Sequence, residues 1–214
     1  NDQQGLAHFV EHMAFNGSTN FDFGEIINFL ESIGMEYGAH LNASTGYDKT
    51  IYKLKIPTDD LTIIKKSILV LADFAGEVSF KEQAFENERK VVVEEWRESL
   101  GSSERQREKL VKIHFANSRY SERRPIGKVE IIKAFDSQRA RDFYSEWYRP
   151  ELMAVIAIGD FEKETMVSLI QEHFSSLTNP TQARPREVYS VPLTTKDSVH
   201  FVTDTEETTT LLRV

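Results

Sequence analysis

Two histidines and a glutamate lie within five consecutive residues near the start of the 214-residue chain: His8, Glu11 and His12, in the segment HFVEH. On an α-helix, residues four apart differ by about 40° in azimuth and about 6 Å in rise, so His8 and His12 face the same way and could bind one metal ion. Glu11 lies on the flank of that face, close enough to reach a metal-bound water without being a ligand. The order H-x-x-E-H is the reverse of the H-E-x-x-H zinc motif.

This set of residues suits the hydrolysis of a carbonyl compound. Zinc lowers the pKa of its bound water to about 7, and a neighbouring carboxylate takes the proton as the water attacks a carbonyl. The motif therefore predicts a catalytic zinc site in which Glu11 is the general base. The alternative is a surface helix on which both histidines and Glu11 are only solvated.

A third protein ligand is needed, because a catalytic zinc usually has three of them and one open position. The chain has no cysteine, so this ligand must be a histidine, an aspartate or a glutamate. The remaining histidines are scattered and form no second paired motif. They are His40, His114, His173 and His200.

The best carboxylate candidates lie in the tract ENERKVVVEEWRE at 86–98. Glu88 and Glu95 are seven residues apart, so they share a helix face but are separated by about 10.5 Å along its axis. One ion cannot easily bind both, so one is predicted to be a ligand and the other to orient a ligand, and the spacing leaves open which is which. A solvated helix face is the alternative. The apolar run 91–93 instead favours a helix buried on several sides, where carboxylates need a partner or a metal.

Composition excludes several classes of protein. There are 26 Lys and Arg residues against 34 Asp and Glu, a net charge of −8 without a dense basic cluster, which disfavours nucleic-acid binding. No apolar run reaches the roughly 18 residues that a membrane-spanning helix needs. Without cysteine there is no disulfide framework and no thiolate nucleophile. The 40% hydrophobic and 28% charged residues are typical of a folded soluble chain rather than a disordered one.

Hydrophobic periodicity predicts the elements that must position these side chains. Helices are expected over 5–15, 24–32, 59–75, 81–100, 103–116, 163–174 and, as two short pieces, within 128–147. Strands are expected over 39–45 and 50–57 as a hairpin, and also at 152–158 and 198–203. Because helices and strands mix without βαβ alternation, the predicted class is α+β, with helices packed on a mixed, largely antiparallel sheet.

The composition of the sequence changes after residue 174. The segment 175–192 holds three prolines and little apolar periodicity, so it is predicted to be a linker. The predicted organisation is therefore one domain over 1–174, a linker over 175–192 and the start of a second domain over 193–214.

Five segments, in order and across nearly the whole chain, resemble the pitrilysin/insulinase family of zinc peptidases, in particular its bacterial zinc-protease members. These segments are GLAHFVEHMAFNGS, GAHLNASTGYDKTIYKLKIP, ENERKVVVEEWRE, RRPIGK and FYSEWYRPELMAVIAIGDF. The resemblance implies that His8, His12 and Glu95 bind Zn²⁺, that Glu11 is the base and that Glu88 supports the ligands. It also implies that the edge strand Asn42-Ala43-Ser44 binds the peptide substrate as an added β-strand.

The resemblance carries further expectations about the whole enzyme. It implies a duplicated α+β fold in which a second half, on the same or another polypeptide, closes around the substrate, and it implies that this chain lacks the first strands of its domain. It favours a bacterial, periplasmic location. The alternative function is a non-catalytic family subunit that acts as a binding or assembly module. Such relatives typically lose a ligand or the base, whereas all four positions are filled here.

Overall fold

The computed structural model describes residues 2–36, 38–193 and 197–212. Eight α-helices and two β-strands are found there. They are α1 (Leu6–Met13), α2 (Glu25–Ser32), β1 (Leu41–Thr45), β2 (Thr50–Leu54), α3 (Leu61–Gly76), α4 (Glu82–Glu98), α5 (Ser102–His114), α6 (Val129–Ala134), α7 (Ser137–Trp147) and α8 (Lys163–Phe174). Short 3₁₀ turns occupy Ala14–Asn16, Arg119–Glu122 and Pro150–Leu152. The α+β class is confirmed, and the sheet of the described residues is the antiparallel β1–β2 hairpin. No helix in these ranges combines the length and apolar character needed to cross a membrane.

Helix α1, which carries the HFVEH segment, lies in the centre of the larger hydrophobic core. Leu6, Phe9, Val10 and Met13 are fully buried. The ring of Phe9 packs 4.8 Å from that of Phe85 on α4, at a tilt that favours aromatic pairs. Burial of each such side chain stabilises the fold by about 1.5–3 kcal/mol, so α1 is held by its apolar side while its histidines point the other way.

Arg89 ties helix α4 to the segments that pack around it. This guanidinium donates to the carbonyl oxygens of Ile132 and Phe135, the latter at 2.7 Å, and pairs with Glu86 at 2.8 Å. It also lies 4.9 Å from the centre of the Phe85 ring. These contacts join α4 to α6 and to the segment before α7.

A second core lies beneath the hairpin. Leu41 of β1 packs there with side chains of α2 and α3, including Phe29, Leu30 and Phe74. In the hairpin, Leu41 pairs with Leu54 and Thr45 with Thr50. This arrangement places β1 next to α1, so the strand and the helix form two walls of one cleft.

The strand expected at 152–158 is not formed, and this prediction was wrong. Pro150–Leu152 is a 3₁₀ turn, and the following residues have no regular structure, with Ile156 79% and Ile158 92% exposed. The segment 198–203 likewise forms no strand. An extended apolar segment becomes a strand only when another strand pairs with it, and no described segment pairs with either. The segment 175–192 contains no helix or strand, and the proposed division of the chain at this point stays a prediction.

The apolar run in α4 is also less buried than expected. Only Phe85 and Val92 of this helix are fully buried, and Val91 is 53% exposed. The helix therefore buries one stripe rather than several sides, because the face that carries Glu88 and Glu95 is open to the cleft.

Candidate metal centre

The two histidines of α1 meet on the face of the helix that lines the cleft. Their Nε2 atoms lie 3.3 Å apart, and the ring planes are inclined by 80°. The helical spacing of four residues places them there, and the buried apolar side of α1 limits rotation of the helix. The buried Nδ1 of His8 has no hydrogen-bond partner within the described ranges.

Helix α4 brings the carboxylate of Glu95 to the same point. Its Oε2 lies 3.4 Å from Nε2 of His12 and 3.7 Å from Nε2 of His8. Zinc bonds of about 2.0–2.2 Å in a tetrahedron place ligand atoms about 3.3–3.6 Å apart. Two of the three observed distances lie in this range and the third exceeds it by about 0.1 Å, so the donor set of two imidazole nitrogens and one carboxylate oxygen fits a tetrahedral metal ion with one further position. In the described part of the chain, these residues are the one group of this kind.

Glu88 lies on the other side of the His12 ring. Its Oε1 accepts a hydrogen bond from Nδ1 of His12 at 2.7 Å, and its Oε2 accepts one from Nδ2 of Asn16 at 2.8 Å. In the neutral ring, a proton held on Nδ1 leaves the lone pair of Nε2 available to a metal ion. The two glutamates thus differ in position: Oε2 of Glu95 lies beside both Nε2 atoms, and Glu88 hydrogen-bonds to Nδ1 of His12.

Glu11 is 6% exposed and lines the same cleft. Its Oε2 accepts a hydrogen bond from the hydroxyl of Thr45, whose Oγ1 lies 3.1 Å from Oγ1 of Thr50. Burial raises the pKa of Glu11, and the hydrogen bond from Thr45 opposes this in part. A carboxylate with a raised pKa is a better proton acceptor in a hydrolytic site.

The other ionisable groups of the site influence one another's pKa values. Burial lowers the pKa of His12, but the hydrogen bonds that His12 donates to the Glu88 and Glu95 carboxylates outweigh it and raise that pKa to about 9. Burial, followed by the nearby His12 charge, lowers the pKa of His8. The hydrogen bond with His12 lowers the pKa of Glu95, against a smaller opposing effect of burial. The two carboxylates therefore favour the protonated form of His12.

The cleft has a volume of about 410 Å³, and its lining residues form three walls of different character. His8, His12 and Glu95 form one wall, and strand β1 forms another with Asn42 and Ala43. Ser44, also expected at the substrate strand, is not among the lining residues. The third wall is apolar and consists of Phe15, Phe23 and Ile27.

One edge of β1 faces away from β2. The hydrogen bonds from Lys55 N to His40 O and from Gly46 N to Lys49 O place the even-numbered residues of β1 in pairs with β2, so the backbone groups of Ala43 and Thr45 point outward. The N–H of Ala43 donates to Oδ1 of Asn42 at 2.7 Å. A peptide that paired with this edge would displace that side chain.

Sequence reasoning missed two side chains that touch the site. Asn16 follows His12 by four residues and could have been found by extending the helical spacing. Thr45 gave no such signal, because its contact with Glu11 depends on how β1 packs on α1.

Known proteins resemble this chain over most of its length. The sequence model of the insulinase family (peptidase family M16) matches residues 1–124, and that of the peptidase M16 inactive domain matches 134–213. "Zinc protease PQQL-like" of Arabidopsis thaliana is 37% identical over 192 residues, which are 89% of this chain and 20% of the relative. "Probable zinc protease PqqL" of Haemophilus influenzae is 37% identical over 196 residues, or 91% of this chain and 21% of the relative.

A solved structure shows the same fold. The first half of the periplasmic protease PqqL from Escherichia coli superposes with a TM-score of 0.84 at 30% identity, over 90% of this chain and 41% of that one. The chain spans about a fifth of the length of the curated relatives described above. The family resemblance of the five sequence segments is confirmed, and the chain belongs to the insulinase family, peptidase family M16.

Proposed function

We propose that this chain is the metal-binding part of a zinc endopeptidase that hydrolyses unfolded peptides. The observation that carries this proposal is the tetrahedral spacing of His8 Nε2, His12 Nε2 and Glu95 Oε2, with the buried carboxylate of Glu11 in the same cleft. Zinc is the metal named for the relatives from Arabidopsis thaliana and Haemophilus influenzae, and two imidazoles with one carboxylate are a usual donor set of catalytic zinc.

The side chains would divide the work as follows. His8, His12 and Glu95 hold the ion, and Glu88 keeps His12 in the tautomer that offers Nε2. Zinc, when bound, polarises the scissile carbonyl and lowers the pKa of the attacking water. Glu11 accepts the proton of that water and delivers it to the leaving nitrogen, with Thr45 holding its carboxylate in place.

The substrate would bind as an extended strand on the outward edge of β1. Backbone groups at Ala43 pair with the peptide once the side chain of Asn42 releases the Ala43 N–H, and Ser44 continues the strand. Pairing through the backbone selects for extended, unfolded peptides rather than for a particular sequence. The apolar wall of Phe15, Phe23 and Ile27 then contacts substrate side chains.

The chain would act as part of a longer enzyme. A second half, on the same or another polypeptide, encloses the peptide, in keeping with the greater length of the relatives. The proposed domain organisation of the chain is one domain over 1–174, a linker over 175–192 and the start of a further domain over 193–214. A periplasmic location in a bacterium is proposed from the Escherichia coli structure.

The test is zinc content and cleavage of a quenched fluorescent peptide by the full-length protein and its Glu11→Gln variant. We expect about one zinc per chain in both proteins, and loss of cleavage only in the variant. Glu94→Gln is the matched control, because Glu94 lies on α4 beside Glu95 but pairs with Arg97 on the exposed face. A full-length protein that holds no zinc and cleaves nothing would instead be the non-catalytic subunit, and cleavage by Glu11→Gln at the wild-type rate would exclude Glu11 as the base.

A further inference from the structure

Asn16 lies in the 3₁₀ turn that follows α1 and is 7% exposed. Its Nδ2 donates to Oε2 of Glu88 at 2.8 Å and to the carbonyl oxygen of His12 at 3.1 Å. The amide therefore donates one hydrogen to α1, at the carbonyl oxygen of His12, and the other to α4, at Glu88.

These contacts close a ring of three residues. His12 Nδ1 donates to Oε1 of Glu88, Asn16 donates to Oε2 of Glu88, and Asn16 also donates to the backbone of His12. A carboxylate with one fixed oxygen still rotates, whereas one with both oxygens bonded is fixed in its plane. Asn16 thereby holds the plane of the Glu88 carboxylate, and that carboxylate in turn hydrogen-bonds to the His12 ring.

We propose that Asn16 is a positioning residue of the metal centre, which raises zinc affinity by holding Glu88 against Nδ1 of His12. The inference rests on the zinc site of the proposed function. Partners that hydrogen-bond to a metal ligand typically change metal affinity by 10–100-fold when they are removed, and Asn16 acts one bond further out through Glu88. Its removal would leave Oε2 of Glu88 and the carbonyl of His12 without this donor.

The chain offers a matched control in Asn20. Its Nδ2 donates to Oδ1 of Asp73 at 2.8 Å, so an asparagine amide again holds a carboxylate, but the carboxylate belongs to α3 and is not among the residues of the metal centre. If Asn16 were purely structural, its variants should behave as we expect of Asn20→Ala, with a lower free energy of unfolding and unchanged metal binding.

The experiment measures zinc dissociation constants of the full-length protein by competition with a chromophoric chelator, and the visible absorption of the Co²⁺-substituted form. We expect Asn16→Ala to weaken zinc binding by about 10-fold or more and to alter the Co²⁺ spectrum, while Asn20→Ala stays within twofold of wild type with an unchanged spectrum. Asn16→Leu fills the space of the amide without donating, and it should weaken binding in the same way if Asn16→Ala fails to fold.

The outcomes separate the two proposals. Wild-type affinity and spectrum in a folded Asn16→Ala or Asn16→Leu protein would overturn the role of Asn16 and leave the peptidase proposal intact. An equal loss of affinity in Asn20→Ala would also overturn it, since the effect would then follow general destabilisation. Absence of zinc binding in the wild-type protein would overturn the proposed function itself.

Discussion

Thr45, the last residue of strand β1, donates a hydrogen bond to Oε2 of Glu11, which lies 34 residues earlier on helix α1. The same Oγ1 lies 3.1 Å from Oγ1 of Thr50 on β2. The strand proposed to bind substrate thus ends at the hydroxyl that holds the proposed base.

Thr45→Val should reduce kcat for peptide cleavage, because it removes the hydroxyl that fixes Glu11 and keeps the shape of the side chain. A misplacement of about 1 Å in a reacting group costs up to about 100-fold in rate, so we expect a 10- to 100-fold loss. KM and zinc content should stay near wild type. Thr45→Ser retains the hydroxyl and should recover most of the rate. Equal kcat in the valine and serine variants would refute this role.

Glu95→Gln and Glu88→Gln should weaken zinc binding to different extents. The first change removes an anionic ligand, whereas the second leaves all three ligands and disturbs only the orientation of His12, with an expected loss of about 10–100-fold. Glu95→Gln should lose more than that. Equilibrium zinc titration of both variants, beside Glu94→Gln as the unaffected control, measures the difference. A greater loss in Glu88→Gln would reverse the assigned roles.

Zinc affinity should increase with pH up to about pH 9. The pKa of His12 is raised to about 9 by Glu88 and Glu95, so below that pH a zinc ion has to displace a proton from His12. Release of one proton makes affinity rise about tenfold per pH unit. The lowered pKa of His8 means that this ring adds little to the dependence above neutral pH.

Zinc titrations between pH 6.5 and 8.5 test this dependence, with competing chelators of known pH behaviour. Glu88→Gln serves as the comparison, because without that carboxylate the pKa of His12 falls and affinity should level off at a lower pH. Constant affinity of the wild-type protein across the interval would contradict the prediction.

Gly127→Ala should destabilise the fold where helix α1 begins. Gly127 has φ +77°, and a Cβ there would lie 2.4 Å from Cα of Gly5, which precedes α1. Backbone strain and overpacking together should lower the free energy of unfolding by about 2 kcal/mol or more. Gly101→Ala is the control, since a Cβ at Gly101 meets nothing within 4 Å. Urea unfolding of both variants measures the effect, and equal stabilities would disprove the close contact.

The spacing of apolar residues predicted much of this fold, because an amphipathic helix repeats its apolar residues every three to four positions in the sequence. Helix α8 lies at Lys163–Phe174, the expected range, and the hairpin and α3 differ from expectation only at their ends. The strand expected at 152–158 failed for a different reason: apolar residues indicate an extended segment, but a strand also needs a neighbour that local sequence does not specify.

The sequence predicted only those relationships of the site that lie within a single helix. A spacing of four residues paired His8 with His12, but Glu88 and Glu95 share a face of α4, and spacing alone left their roles open. The difference in their positions depends on how α4 packs beside α1, which brings Glu95 to both histidines and Glu88 to Nδ1 of His12. Such contacts between distant segments are invisible to periodicity.

The paired imidazoles and the carboxylate of Glu95 belong to segments more than eighty residues apart in the chain. A bound ion would therefore act as a cross-link between distant parts of the polypeptide, one that an unfolded chain cannot form. At a free zinc concentration one hundred times the dissociation constant, such linkage adds about 2.7 kcal/mol to stability. The free zinc concentration would then determine the lifetime of the folded protein as well as the rate of the proposed cleavage, and low zinc would increase its degradation.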